Sequence, residues 1–119
     1  MSLKVLIVDD SKFMRSVLLK IFEKFSKVDE ITEAGDGVEA IEKYQKNTPN
    51  IVTMDLDMPK MNGIEAAKKI KSIDSNAKIL MVTSSNKQEI RNEAERIGTL
   101  GYITKPFDNK KIEEIIEKI

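Results

Sequence analysis

The chain has 119 residues, 34 % charged and 40 % apolar, and its 20 basic and 20 acidic side chains cancel to a net charge of zero. That length suits one hydrophobic core rather than two, and the charge balance gives no electrostatic reason to expect nucleic acid or an anionic membrane as partner. With neither cysteine nor histidine present, disulfide and thiol chemistry are excluded, zinc and most transition metals lose their usual ligands, and any bound metal has to be held by oxygen.

The apolar pattern alternates between short continuous runs and helical stripes, the mark of β/α alternation around a largely parallel sheet. Val5-Leu6-Ile7-Val8 reads as a first strand that ends at Asp9-Asp10. Ser11 is placed to cap a helix whose inward stripe is Met14, Val17, Leu18, Ile21, Phe22 and Phe25. A second strand around Glu30 to Ala34 alternates polar with apolar, as an edge strand does. After an Asp36-Gly37 turn, a helix is predicted from about Val38 to Lys46 with Val38, Ile41 and Tyr44 inward, broken by Thr48-Pro49-Asn50.

Ile51-Val52-Thr53-Met54 reads as the third strand and stops at Asp55. A loop through Pro59 and Gly63 leads to a helix near Ile64 to Ile73, with Ala67, Ile70 and Ile73 inward. Ile79-Leu80-Met81-Val82 ends at Thr83, and Ser84-Ser85-Asn86 turns into a helix from about Lys87 to Ile97. That helix offers only Ile90, Ala94 and Ile97 as an apolar stripe, so it is predicted to be weakly anchored. Gly98 closes it, Tyr102-Ile103-Thr104 ends at Lys105, and Asp108 caps a last helix with Ile112, Ile115, Ile116 and Ile119 inward.

If the strands are parallel, their carboxyl ends share one edge, where open α/β sheets build their sites. Asp9 and Asp10 side by side would repel unless a cation sat between them, and an all-oxygen site with few protein ligands suits magnesium better than calcium. Asp55 can serve as a third carboxylate and as a nucleophile, because aspartyl-phosphate chemistry needs an ionised carboxylate beside a charge-neutralising cation. Pro106 keeps the Lys105 backbone out of the α region, and an ammonium there can pair with Asp55 and then with phosphoryl oxygens. Thr83 adds a hydroxyl donor. Taken singly, each has a plainer reading: the acidic pair suits a solvated turn, Lys105 a surface position, Thr83 a β-branched strand end and Tyr102 a half-exposed edge aromatic.

In this order and at these strand ends, Asp9-Asp10, Asp55 in D-x-x-M-P-x-x-x-G ending at Gly63, Thr83 followed by Ser84, and Lys105-Pro106-Phe107 resemble the receiver domain of response regulators. The resemblance runs from about Lys4 to Ile119 and treats 1–119 as one domain. It implies a doubly wound α/β fold: five parallel strands in the order 2-1-3-4-5 with five helices, in a flavodoxin-like three-layer sandwich. It implies that Asp55 takes a phosphoryl group from a phosphohistidine of a histidine kinase or phosphotransfer protein, in a two-component relay. The chain has no histidine, so the phosphohistidine must belong to another molecule. Asp10, Asp55 and the backbone carbonyl of Asp57 would hold Mg2+, with Asp9 helping through water. Such a receiver catalyses only its own phosphorylation and dephosphorylation.

The resemblance further implies a cis Lys105-Pro106 bond and a switch built on Thr83 and Tyr102. As the hydroxyl moves, Tyr102 turns inward and reshapes the face of the fourth helix, fifth strand and fifth helix, which meets a downstream protein. Asp57 and Ser85 fall where the family varies and where side chains tune phosphoryl lifetime. Asp9-Asp10-Ser11 with Met14-Arg15 resembles single-domain chemotaxis regulators, expected as monomers or weak phosphorylation-dependent dimers. A receiver cut from a larger, for example transcriptional, regulator would read the same, and Met1-Ser2-Leu3 also fits an added leader.

Two other functions share parts of the pattern. A haloacid dehalogenase-type phosphohydrolase reads D-x-D after a strand, as Asp55-Leu56-Asp57 does, but places that motif first in the chain and the acidic pair last. A flavodoxin-like flavin binder would have to receive a phosphate at the first loop, where Asp9 and Asp10 repel it. No apolar run approaches the roughly 20 residues that cross a bilayer, and no amino-terminal stretch joins basic residues to a long apolar segment. The expected location is cytoplasmic, with no direct nucleic-acid or membrane partner.

Overall fold

The structure, a computed structural model, describes residues 2–119. Five strands and five helices alternate: β1 (Leu3–Val8), α1 (Lys12–Glu23), β2 (Val28–Ala34), α2 (Gly37–Asn47), β3 (Ile51–Met54), α3 (Gly63–Ile73), β4 (Ile79–Thr83), α4 (Gln88–Ile97), β5 (Gly101–Thr104) and α5 (Asn109–Glu117). All strand pairs are parallel and the sheet order is β2-β1-β3-β4-β5, as the resemblance implied. The strand order reverses between β1 and β3, and the crevice past their carboxyl ends is where this architecture leaves room for a site.

The central strands are buried on both sides, which is why β1, β3 and β4 read as unbroken apolar runs. One layer of core joins the sheet to α1 and α5 through Leu18, Ile21, Phe22, Ile112 and Ile116. The opposite layer joins it to α2, α3 and α4 through Ala40, Tyr44, Ala67, Ile70 and Ala94. On β2, at the sheet edge, only Ala34 is fully buried.

Local chemistry sets the helix starts. The side chains of Ser11, Asp36, Asn62 and Asp108 each accept a backbone N–H in the first turn that follows, and Asn62 forms a reciprocal capping box with Glu65. The Asn62 box was not read from sequence. Helix α4 differs: Lys87 at its N-cap makes no side-chain bond, and Ala94 alone is fully buried, in agreement with a weakly anchored element. Gly98 ends it at φ 88°, a left-handed conformation that suits glycine.

Two expected core positions are exposed. Val38 is 39 % accessible, because the inward stripe of α2 runs through Gly37, Ala40 and Tyr44, and Val38 lies one residue, about 100°, off it. Ile73 is 42 % accessible; it is the last helical residue before extended Asp74.

Candidate functional site

The sheet ladder continues one residue past the strands and thereby places the site. Asp9 N–H donates to the Ala34 carbonyl at 3.1 Å, Asp55 N–H to the Val8 carbonyl at 3.0 Å, and Lys105 N–H to the Thr83 carbonyl at 2.8 Å. Each of these side chains therefore leaves the sheet from a backbone held on a neighbouring strand. One carboxylate oxygen each from Asp9, Asp10 and Asp55 come within 4.8 Å of one another. Asp9 and Asp55 are buried, while Asp10 is exposed and its carboxylate makes no protein hydrogen bond among the described residues.

Lys105 supplies the cation that faces this cluster, across a cis peptide to Pro106. Its Nζ lies 2.6 Å from Asp9 Oδ2 and 3.6 Å from Asp55 Oδ1, so the expected pairing with Asp55 is the longer of two. Asp9 Oδ1 accepts from Ser11 N–H at 2.9 Å, and Asp55 Oδ1 accepts from Leu56 N–H at 2.9 Å. Burial pushes the Asp55 carboxyl above its ordinary range, and the charge of Asp9 adds to the effect. Lys105, the Thr83 hydroxyl and Leu56 N–H pull the other way without overcoming it. The cluster thus lacks positive charge, and a hard divalent cation with all-oxygen ligation fits both the donor set and that deficit.

Thr83 is fully buried at the end of β4. Its hydroxyl accepts from Ser85 N–H at 3.3 Å, and the carbonyl of the same Ser85 accepts from the Tyr102 hydroxyl at 2.8 Å. The backbone of one residue, Ser85, therefore touches both Thr83, through its N–H, and Tyr102, through its carbonyl. The Arg91 guanidinium of α4 sits 4.6 Å from the Tyr102 ring centroid, and its Nη1 also reaches Thr104 Oγ1 at 3.4 Å. Tyr102 is partly buried on the edge strand β5 and packs against the core cluster that includes Ala94 of α4. Asp57 stands apart from the ion-pair network: it is exposed at the mouth of a cavity of about 430 Å³, lined also by Leu56, Asn62, Ser84, Ser85 and Lys87.

Two features were missed in the sequence reading. Gly63 N–H donates to the Leu56 carbonyl at 2.8 Å, and a Cβ on Gly63 would lie 1.9 Å from the Asp55 carbonyl oxygen; its place in the D-x-x-M-P-x-x-x-G spacing was the available signal. Arg15 of α1 reaches back to the Asp9 carbonyl with Nη1 at 2.5 Å and to Glu33 of β2 with Nε at 2.9 Å. No spacing rule points to those contacts.

Residues 5–117 match the family described as the response regulator receiver domain. The chain belongs to that family. It is a receiver, a phosphorylation-activated signalling switch, and the dehalogenase-type and flavin-binding readings are not favoured. The receiver is 44 % identical over 119 residues to the chemotaxis protein CheY of Thermotoga maritima, covering 100 % of this chain and 98 % of that protein. It is 42 % identical over 119 residues to CheY of Halobacterium salinarum, with the same coverage of both. Among solved structures, a Borrelia burgdorferi complex of CheX, CheY, BeF3 and Mg2+ superposes with a TM-score of 0.91 at 35 % identity, covering 98 % of this receiver and 87 % of that chain. Among the described residues, no helix of the receiver is long and apolar enough to cross a membrane.

Proposed function

We propose that this receiver is a chemotaxis regulator in which Asp55 accepts a phosphoryl group from a phosphohistidine on a histidine kinase or phosphotransfer protein. One observation carries the reading: a buried strand-end carboxylate lies 3.6 Å from an ammonium, within reach of two further carboxylates. An Asp55 oxygen attacks phosphorus, the bond from phosphorus to the donor imidazole nitrogen breaks, and the mixed anhydride remains on Asp55. The Lys105 ammonium, already between Asp9 and Asp55, pairs with the phosphoryl oxygens that arrive. Thr83 donates its hydroxyl to another of them.

Asp10, Asp55 and the Asp57 carbonyl would hold Mg2+, with Asp9 acting through water. When bound, Mg2+ supplies the charge neutralisation that lets an anionic carboxylate meet an anionic phosphoryl group. Asp57 and Ser85, at the mouth of the crevice, set how readily water reaches the anhydride.

The incoming group adds roughly −1.5 to −2 charges. When it draws the Thr83 hydroxyl away from Ser85 N–H, the β4–α4 turn loses one of its ties, and Tyr102 with Arg91 shifts in response. The face of α4, β5 and α5 then presents a different surface to a downstream protein. The names of the relatives support chemotaxis as the setting. We read residues 1–119 as one receiver unit that acts in the cytoplasm, without nucleic-acid or membrane contact, as a monomer or a weak phosphorylation-dependent dimer, and that turns over no substrate beyond its own phosphoryl group.

Incubation with Mg2+ and acetyl phosphate, followed by intact mass measurement, tests the reading. The expected result is gain of one phosphoryl group by the wild-type protein and none by Asp55→Asn. Modification that persists in Asp55→Asn, or an unmodified wild type, would overturn it.

A further inference from the structure

We infer that Arg15 is a positioning residue for the metal-holding carboxylates, acting through the peptide between Asp9 and Asp10; this rests on the proposed Mg2+ site. Arg15 is the fourth residue of α1 and its side chain is 17 % exposed. Its Nη1 donates to the Asp9 carbonyl at 2.5 Å, while its Nε donates to Glu33 Oε1 at 2.9 Å. The guanidinium is a planar fork, so the two bonds fix its plane as well as its position.

Among the described residues that contact is the one hydrogen bond made to the peptide between Asp9 and Asp10 itself, which lies between an Asp9 tied to β2 and a Ser11 tied as the cap of α1. Asp9 N–H is tied to β2 through the Ala34 carbonyl, and the Asp9 carboxylate is tied to Ser11 N–H and Lys105. Beyond Asp9 the constraint changes. The Asp10 side chain has no protein partner among the described residues, so the direction in which its carboxylate leaves the chain is set by its backbone alone. The Asp9 carbonyl belongs to the same rigid plane as the Asp10 N–H. By gripping that carbonyl and bracing on β2, Arg15 fixes the plane from which Asp10 projects toward Asp55. Its role corresponds to the outer partners of a metal site, which orient the ligands without touching the ion.

Charge and position predict opposite results. A guanidinium near three carboxylates repels a divalent cation, so a purely electrostatic role means that removing Arg15 tightens Mg2+ binding. A positioning role means that removing it weakens binding. Calorimetric titration with Mg2+ at fixed pH, on protein without phosphoryl donor, reads the difference. The expected result for Arg15→Ala is a dissociation constant raised about 10-fold. Arg15→Lys, which keeps the charge and loses the fork, should also weaken binding. Glu33→Gln, which can still accept from Nε, should remain near wild type, and Glu33→Ala should fall between. In phosphorylation from acetyl phosphate, the Mg2+ concentration for half-maximal rate should rise by the same factor while the maximal rate at saturating Mg2+ is retained.

Asp10→Asn separates this inference from the reading beneath it. If Asp10→Asn leaves Mg2+ affinity unchanged, the carboxylate site itself fails and Arg15 with it. If Asp10→Asn loses affinity while Arg15→Ala, or Glu33→Ala should Arg15→Ala not fold, binds as tightly as wild type or tighter, only the positioning role is overturned.

Discussion

Lys105 is bound more closely to Asp9 than to Asp55, at 2.6 Å against 3.6 Å. Strand spacing alone argues the reverse. With neighbours about 4.8 Å apart, β5 stands two strands from β3 and three from β1. The long Lys105 side chain nevertheless reaches past Asp55 to the buried Asp9 carboxylate.

The first prediction concerns that pair. Lys105→Met leaves Asp9 and Asp55 facing each other with the bridging cation gone, and breaking a buried pair from one side costs roughly 3 kcal/mol. Urea denaturation without divalent ions should report a loss of that order, partly recovered in excess Mg2+. Unchanged stability would mean that Lys105 does not hold Asp9 in solution.

Gly63→Ala tests how the acceptor is seated. The added Cβ would lie 1.9 Å from the Asp55 carbonyl oxygen and 2.8 Å from its carbonyl carbon, so either the start of α3 or the Asp55 peptide must move. Overpacking of this kind costs about 1–3 kcal/mol, and an ångström of misplacement costs about 100-fold in rate. The expected outcome is a lower melting temperature and a phosphorylation rate from acetyl phosphate reduced by about that factor. A folded variant that is phosphorylated normally would sink the argument.

Asp57→Asn removes an exposed charge, two residues from Asp55, that has no ion pair among the described residues. Phosphorylation should survive and the dephosphorylation rate should change by a few-fold, followed as loss of the phosphorylated mass with time. An unchanged lifetime removes Asp57 from the mechanism.

The strand-end residues were legible because a buried apolar run has to stop where a carboxylate or ammonium begins, and parallel topology sends all those stops to one edge. Asp9, Asp55 and Lys105 follow from that rule, and Thr83, a buried hydroxyl at the last residue of β4, takes its role from the resemblance. Arg15 does not follow from the rule: its targets lie six residues back on a loop and eighteen residues on in β2, and they become neighbours only through the packing of α1 beside β2. The backbone of Ser85, whose N–H meets Thr83 and whose carbonyl meets Tyr102, is equally silent, because backbone atoms carry no sequence signature. Val38 failed for a different reason. Tyr44 and Ile41 of the expected stripe do meet the core, but at the first turn of α2 the buried seats go to Gly37 and Ala40, small residues that carry little apolar signal.

Thr53 carries a buried hydroxyl with no hydrogen-bond partner among the described residues, in the middle of β3 between Ile7 and Leu80. An orphaned polar group of this sort costs about 1–3 kcal/mol. Thr53→Val has the same shape without the hydroxyl, and urea denaturation should show a gain of about 1 kcal/mol. A loss of stability would reveal a partner for that hydroxyl in solution.

The last prediction lies at the opposite end of the sheet, where the Tyr44 hydroxyl of α2 donates to Asp74 Oδ2 at 2.7 Å just past α3. That bond, followed by Asn76 N–H, holds the Asp74 carboxyl below its usual range. Burial first, and then Asp74, push the Tyr44 phenol above its usual value. The signs are opposite in chemistry and complementary in effect. A depressed carboxyl contributes stability above its unfolded value, near pH 4, and loses it as pH falls through the lowered folded value. A raised phenol contributes stability below its unfolded value, near pH 10, and loses it as pH rises toward the raised folded value. The stability difference between wild type and Tyr44→Phe, measured by urea denaturation across pH, should therefore form a plateau between about pH 4 and pH 10 and decline on both flanks. A difference that stays constant from pH 3 to neutrality would show that Asp74 gains nothing from Tyr44, and the contact would then join α2 to α3 by packing alone.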